Sequence, residues 1–244
     1  MNKELYDIDY DNYIAFFGCS FTFGTGLPLE ETYAHKVAAA LNLGDNYINA
    51  SIESSSPSFL ALNLTQFFKQ VPKPKLPRAI IINWPPIHRI HYWFRGNPLV
   101  LSPNMNQPPV VRNYWRNVTT PDLEHWQKAY EAAIVEDSYI FNTFKHIKDT
   151  ATTLAKLAGT PLIQFSTAPT ISFDSTSATT FHQQHPDIEV ISSGRERYSQ
   201  QELTTPQPHN LVSGRDIAEY GGQYFAHPGT AHQENVTKYI LERI

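Results

Sequence analysis

Short apolar runs and amphipathic stretches alternate along the chain. Residues 13–19, YIAFFGC, form a continuous apolar run closed by Gly and Cys, the pattern of a buried strand entering a tight turn. The turn-rich segment SFTFGTGLPLE follows, with Gly24, Gly26 and Pro28. From 31 to 42, Tyr33, Val37 and Leu41 recur at every fourth position and predict an amphipathic helix, which Asn42 and Gly44 stop. Tyr47 to Ala50 predicts a second strand, followed by the polar loop SIESSSPS. Phe59, Leu62 and Phe67 predict a helix over 57–70, opened by Pro57. Pro72, Pro74 and Pro77 then interrupt the chain before AIIINW, residues 79–84, a third buried strand.

The second half alternates in the same way, but with longer gaps. Residues 85–120 lack a clear period and carry Tyr92, Trp93, Phe94, Tyr114 and Trp115, which predicts an ordered insert. Leu123, Trp126, Tyr130 and Ile134 share one helical face, and Phe141, Phe144, Ile147, Leu154 and Leu157 continue it. A stretch of 121–157 exceeds the usual helix and predicts a break, with Gly159 as its end. TPLIQFS, residues 160–166, predicts a fourth strand, and the polar, irregular residues 169–213 a second insert. Pro228 and Gly229 precede a last helix marked by Val236, Ile240 and Ile244. Strands alternating with helices predict an α/β fold with a parallel sheet covered on both faces. Sites in such sheets lie at the carboxyl ends of the strands, which here gathers loops 19–28, 51–57 and 84–120 on one rim. No repeat or linker divides residues 1–244, so one domain with insertions at about 85–120 and 169–213 is expected.

Composition narrows the class. At 41% hydrophobic and 17% charged residues, the chain is too apolar for global disorder. Its formal net charge of -4, with no cluster of Lys and Arg, argues against nucleic acid as a partner. Cys19 is its one cysteine, so no intrachain disulfide forms. The start, MNKELYDIDYDNY, has neither the composition of a signal peptide nor that of a membrane span. A cytoplasmic protein without a membrane span is therefore expected, and a viral source would read the same. On that expectation the N-x-T sequons at Asn63, Asn117 and Asn235 are chance matches.

Two segments carry the chemistry. FFGCSFTFGTGL, residues 16–27, puts Ser20 directly after a buried strand, where its own N–H can face a cleft. A serine hydroxyl is a weak nucleophile and needs a nearby base. YFAHPGTAH, residues 224–232, offers His227 in a loop before the last helix, with Pro228 fixing the backbone behind it. Ser20 as a simple helix cap and His227 as a surface histidine are the plain alternatives. Cys19 as a thiol nucleophile is a rival, but a free Cys beside a buried strand is more often inert. The pairs His88/His91 and His182/His185 suggest metal, yet no carboxylate or Cys set completes a site, so no metal is assigned. Gly18, Gly24 and Gly26 fit neither nucleotide-loop pattern, and no cofactor is expected.

Gly-Cys-Ser-Phe-Thr-Phe-Gly-Thr-Gly after a strand resembles the first block of the SGNH/GDSL hydrolases. NASIESSS, residues 49–56, is similar to their second block, and His-Pro-Gly before a terminal helix to their last. The three lie in family order across nearly the whole chain. The resemblance implies a flavodoxin-like α/β/α sandwich and a serine hydrolase acting on a carboxylic ester or thioester through an acyl-enzyme. An esterase, an acylhydrolase and a carbohydrate O-deacetylase all fall within it, with a small-molecule ester or acylated sugar as substrate. It makes Ser20 the nucleophile and His227 the base, and gives the oxyanion hole the backbone N–H groups of Ser20 and Ser54.

The chain departs from the family pattern at three places. Ser54 stands where Gly is usual, which is tolerable because only a backbone N–H is needed. The third block lacks its Asn in NWPPIHR, residues 83–89, leaving Asn83 and His88 as candidate oxyanion donors. Tyr224 occupies the position of the Asp three residues before the histidine, and a phenol is not ionised near neutral pH. Asp216, or a backbone carbonyl in a Ser-His dyad, is left to orient His227. Losing one oxyanion donor costs roughly a hundredfold to a thousandfold in rate, and losing the orienting carboxylate about ten-thousandfold. A catalytically weak or inactive binding protein on the same fold is therefore the alternative function.

Overall fold

The computed structural model describes residues 8–53, 55–71, 73–94, 97–101, 137–167, 181, 183–192, 210–211, 217–220 and 223–244. The apolar run near the start forms β1 (Ile14–Phe17), and the turn after it forms the single-turn helix α1 (Ser20–Phe23). Helix α2 (Tyr33–Ala40) leads to β2 (Tyr47–Asn49), and α3 (Pro57–Gln70) to β3 (Ile80–Asn83). A hairpin of β4 (Ile90–Phe94) and β5 (Asn97–Leu101) comes next. Helix α4 (Asp137–Ala158) precedes β6 (Leu162–Ser166) and β7 (Glu189–Ser192). The two-residue β8 (Asn210–Leu211), the hairpin of β9 (Ile217–Tyr220) and β10 (Gln223–Pro228), and α5 (Thr230–Leu241) complete the chain.

The central sheet is parallel throughout, in the order β2-β1-β3-β6-β7, with β8 extending it at the β7 edge. This is the flavodoxin-like order, and the chain reverses direction across the sheet between β1 and β3. Period-two alternation of the strands feeds two separate cores. Ala15, Phe17, Ile80 and Ile82 face Leu60, Leu64 and Phe67 of α3 and Phe144 and Ala151 of α4. Ile14, Phe16, Ile81 and Phe165 face Tyr33 and Val37 of α2 and Val236 and Ile240 of α5. The result is a three-layer sandwich, with α3 and α4 on one face and α2 and α5 on the other.

Each of the four expected strands forms, and so do the helices expected over 31–42, 57–70 and at the end. Several details differ. Leu62, expected on the buried face of α3, is 41% exposed, because Leu60 and Leu64 turn the inward face two positions away. Leu157, in the last turn of α4, and Ile244, beyond the end of α5, are likewise solvent-facing. The stretch expected to be unpatterned holds the β4–β5 hairpin, and the polar insert contributes β7 to the main sheet. The expected helical residues 121–136 lie outside the described residues, as do most of both inserts.

Candidate active site

All the parallel strands deliver their carboxyl ends to one rim. β1 delivers Gly18-Cys19-Ser20 there, at the point where the chain switches direction. Gly18 permits this: a Cβ on it would lie 1.9 Å from Thr22 Oγ1 and 3.2 Å from the Asn83 carbonyl oxygen. Ser20 opens α1, whose first N–H groups have no partner within the helix. The turn closes through Thr22 N–H and Phe23 N–H to the Cys19 carbonyl and through Gly24 N–H to that of Ser20, all within 3.0 Å. Gly24 ends it with φ at 83°, a left-handed conformation that glycine adopts without strain. Ser20 keeps 5% of its surface exposed, while Cys19 is sealed at 1% beside Phe21.

The platform beneath Ser20 is polar, buried and paired. The Tyr33 hydroxyl donates to Thr22 Oγ1 at 2.7 Å. Burial drives that phenol far above its ordinary range, so it stays a donor at any physiological pH. Asn49 Nδ2 donates to the Thr22 carbonyl at 3.1 Å, and its Oδ1 accepts the Ser51 N–H at 3.2 Å and the Ser51 hydroxyl. One side chain thus joins the Ser20 turn to the loop after β2. Ile52 N–H reaches the Gly18 carbonyl at 3.2 Å, and Thr25 Oγ1 donates to Glu53 at 2.5 Å. Ser54 lies outside the described residues, but both of its chain neighbours are held: Glu53 by Thr25, and Ser55 N–H by the Ile52 carbonyl at 3.1 Å.

The third strand end is built around Asn83. It is fully buried, its Nδ2 donating to Thr167 Oγ1 at 3.0 Å and its Oδ1 accepting the Thr167 N–H at 3.1 Å. Thr167 Oγ1 also meets Nε2 of His232, itself fully buried, at 3.3 Å. With both ends of its amide on Thr167, Asn83 is tied to the sheet rather than aimed at a cleft. His88 sits half-buried in the turn after β3. Trp84 packs in the core edge-to-face with Phe144, its Nε1 donating to Gln164 Oε1 at 3.0 Å.

His227 arrives from the far end of the chain. It lies not in a loop but on β10, in the span where pairing with β9 shifts register between Tyr224 and Pro228. Its ring is half-buried and meets the Phe21 ring edge-on, with centroids 5.7 Å apart. The residue that follows Ser20 and the candidate base are therefore in contact. Asp216 lies outside the described residues; its chain neighbour Ile217 pairs with Pro228, the chain neighbour of His227.

The remaining histidines have separate surroundings. His91 Nδ1 is 2.7 Å from Ser56 Oγ, and its ring stacks on Phe59 at 4.5 Å. His185 is buried among Phe141, Phe144 and Phe181, with neither ring nitrogen hydrogen-bonded. His182 lies outside the described residues. Among the described residues no three His, Cys, Asp or Glu side chains converge as metal ligands, and no helix is long and apolar enough to cross a membrane. Sequence reasoning missed Thr22, Asn49, Glu53, Thr167 and His232; all but Thr167 stood within segments already singled out.

No family model matches the chain, and no curated protein matches it. Solved structures similar to it include the crystal structure of TesA, 12% identical, covering 94% of this chain and 96% of that one, with a TM-score of 0.49. Another is a member of the lipolytic protein G-D-S-L family from Veillonella parvula, 10% identical, covering 96% and 98%, TM-score 0.43. A third is an acetyl xylan esterase, AlAXEase, 13% identical, covering 95% and 99%, TM-score 0.46.

Proposed function

We propose that the chain is a serine hydrolase of the SGNH/GDSL type, cleaving a carboxylic ester or thioester with Ser20 as nucleophile and His227 as base. The observation that carries this reading is the meeting of the two chain ends, with the His227 ring against Phe21 at the start of α1. His227 takes the Ser20 proton as Oγ attacks the substrate carbonyl carbon. The tetrahedral oxyanion collapses, the C–O or C–S bond breaks, and His227 returns the proton to the leaving alcohol or thiol. Water, deprotonated by the same imidazole, then frees the acid and restores Ser20. The Ser20 N–H at the start of α1 and the Ser54 N–H serve the oxyanion, with His88 on the same rim as the third donor. Asn83 acts from behind, holding β3 to β6.

Asp216 orients His227 in this scheme. What supports it is chain position: Asp216 directly precedes Ile217, whose backbone pairs with Pro228, the residue after His227. The acyl group and the alcohol remain those of a small ester or acylated sugar.

The test is labelling of the purified chain with a fluorophosphonate probe, read by mass spectrometry, beside a known serine hydrolase as control. An adduct on Ser20 that Ser20→Ala removes is the expected result. An unlabelled chain under conditions where the control reacts would leave a binding protein on this fold. An ester panel from acetyl upward, with acylated sugars, then ranks substrates.

A further inference from the structure

A direct serine–histidine contact lies at the same rim, and the reaction scheme does not use it. Ser56 is fully buried and caps α3, accepting the Phe59 N–H at 3.2 Å. Its Oγ is also 3.0 Å from Ser58 Oγ and 2.7 Å from His91 Nδ1. One arrangement that satisfies all three has Ser56 accepting from Phe59 and Ser58 and donating to His91. Burial, with the Arg89 charge nearby, lowers the His91 pKa to about 4, so at neutral pH the ring is neutral, and in the tautomer protonated on Nε2 its Nδ1 accepts. The ring is set by its stack on Phe59, 4.5 Å between centroids and 6° from parallel.

The pair sits where it can affect the site. His91 belongs to β4, and its neighbour Arg89 reaches the Ser55 carbonyl at 3.5 Å. The hairpin therefore grips Ser55 and Ser56, which directly follow the proposed oxyanion donor Ser54. From the other side, Asn49 and Thr25 fix Ser51 and Glu53. The loop after β2 is thus clamped at both ends, toward the nucleophile turn by one set of bonds and toward the β4–β5 hairpin by the other.

We infer that His91 is a positioning residue for the loop after β2, acting through Ser56 to fix the Ser55–Ser56 end of that loop at the rim. This rests on the serine-hydrolase reading. Electrostatic stabilisation depends on a donor aimed at the developing charge before the reaction begins. A loop pinned at one end only would bind ester as before but stabilise its transition state less. The loss would therefore appear in kcat and not in KM.

The experiment compares wild type, His91→Phe, His91→Asn and Ser56→Ala with a p-nitrophenyl ester that wild type hydrolyses. His91→Phe keeps the stack on Phe59 and loses the acceptor. His91→Asn keeps an acceptor of similar reach. The expected result is a kcat lowered about tenfold in His91→Phe, the rate equivalent of one neutral hydrogen bond, with KM within about twofold. His91→Asn should recover most of that loss, and both should melt within a few degrees of wild type. A wild-type kcat in His91→Phe, or a fall that His91→Asn does not recover and that follows melting temperature instead, overturns the inference and leaves the hydrolase reading standing. Wild type that neither hydrolyses ester nor takes the fluorophosphonate probe overturns the parent reading, and this one with it.

Discussion

Ser20 with His227, the proposed catalytic pair, and Ser56 with His91 stand at one rim of one sheet in different surroundings. Ser56 and His91 are only 35 residues apart and make a direct 2.7 Å contact. Ser20 and His227 come from opposite ends of the chain and meet through the Phe21 ring. By contact distance alone the first pair looks the better catalytic dyad. Its surroundings say otherwise. Ser56 is fully enclosed and its oxygen is occupied by the first turn of α3, so no carbonyl carbon can reach it. Ser20 stands at a strand-to-helix turn with 5% of its surface exposed, above a platform whose polar groups pair with one another. A nucleophile is recognised by what its oxygen is free to do, and a close imidazole is not enough.

The largest test of this contrast is activity. Ser20→Ala and His227→Ala should each lower kcat by about ten-thousandfold or more in an ester assay. Ser56→Ala should still give a Ser20 adduct with the fluorophosphonate probe. An adduct on Ser56, or full activity in Ser20→Ala, would reverse the assignment of the two pairs.

A second test concerns the platform. Thr167→Val removes the hydroxyl to which Asn83 Nδ2 donates, and which meets His232, while keeping the shape of the side chain. A buried donor stripped of its acceptor costs about 2–3 kcal/mol, measurable as a shift of the urea midpoint at constant slope. If stability is unchanged and activity falls, Thr167 acts on the substrate and belongs to the site itself.

A third histidine, His185, sharpens the comparison because neither of its ring nitrogens is hydrogen-bonded. Burial among phenylalanines, aided by the Lys148 charge, lowers the His185 pKa from 6.5 to about 4. The unfolded chain then binds a proton that the folded chain refuses. This stability is fully present above pH 6.5 and is lost as pH falls toward 4. Between pH 7 and pH 5 the loss from this one group is about 2 kcal/mol. His185→Leu should remove that part of the acid sensitivity in urea titrations at the two pH values. The share of His91, which is displaced in the same direction, should remain.

The smallest effect is on the cap. Ser56→Ala leaves the Phe59 N–H without its side-chain acceptor and should cost about 1 kcal/mol of stability by urea denaturation. A loss several times larger would mean that the hairpin detaches as a unit when Ser56 Oγ is gone.

The chain's local chemistry determined the parts that rest on near neighbours. The apolar runs at 13–19 and 79–84, the four-residue spacings of α2 and α5, and the stops at Gly44 and Gly159 depend on the chain's own period and on backbone freedom. Ser20 after a buried strand, and His227 before the last helix, were visible for the same reason. Tertiary structure decided the rest. β7 joined the sheet out of a polar insert because the open edge of β6 offered it hydrogen bonds, which no pattern of its own announces. The 90–101 hairpin and the strand carrying His227 are held by pairing and packing that sequence spacing does not encode. Which serine received which histidine, and whether Asn83 faced a cleft or Thr167, depended on distances set only once the strands had closed into one sheet.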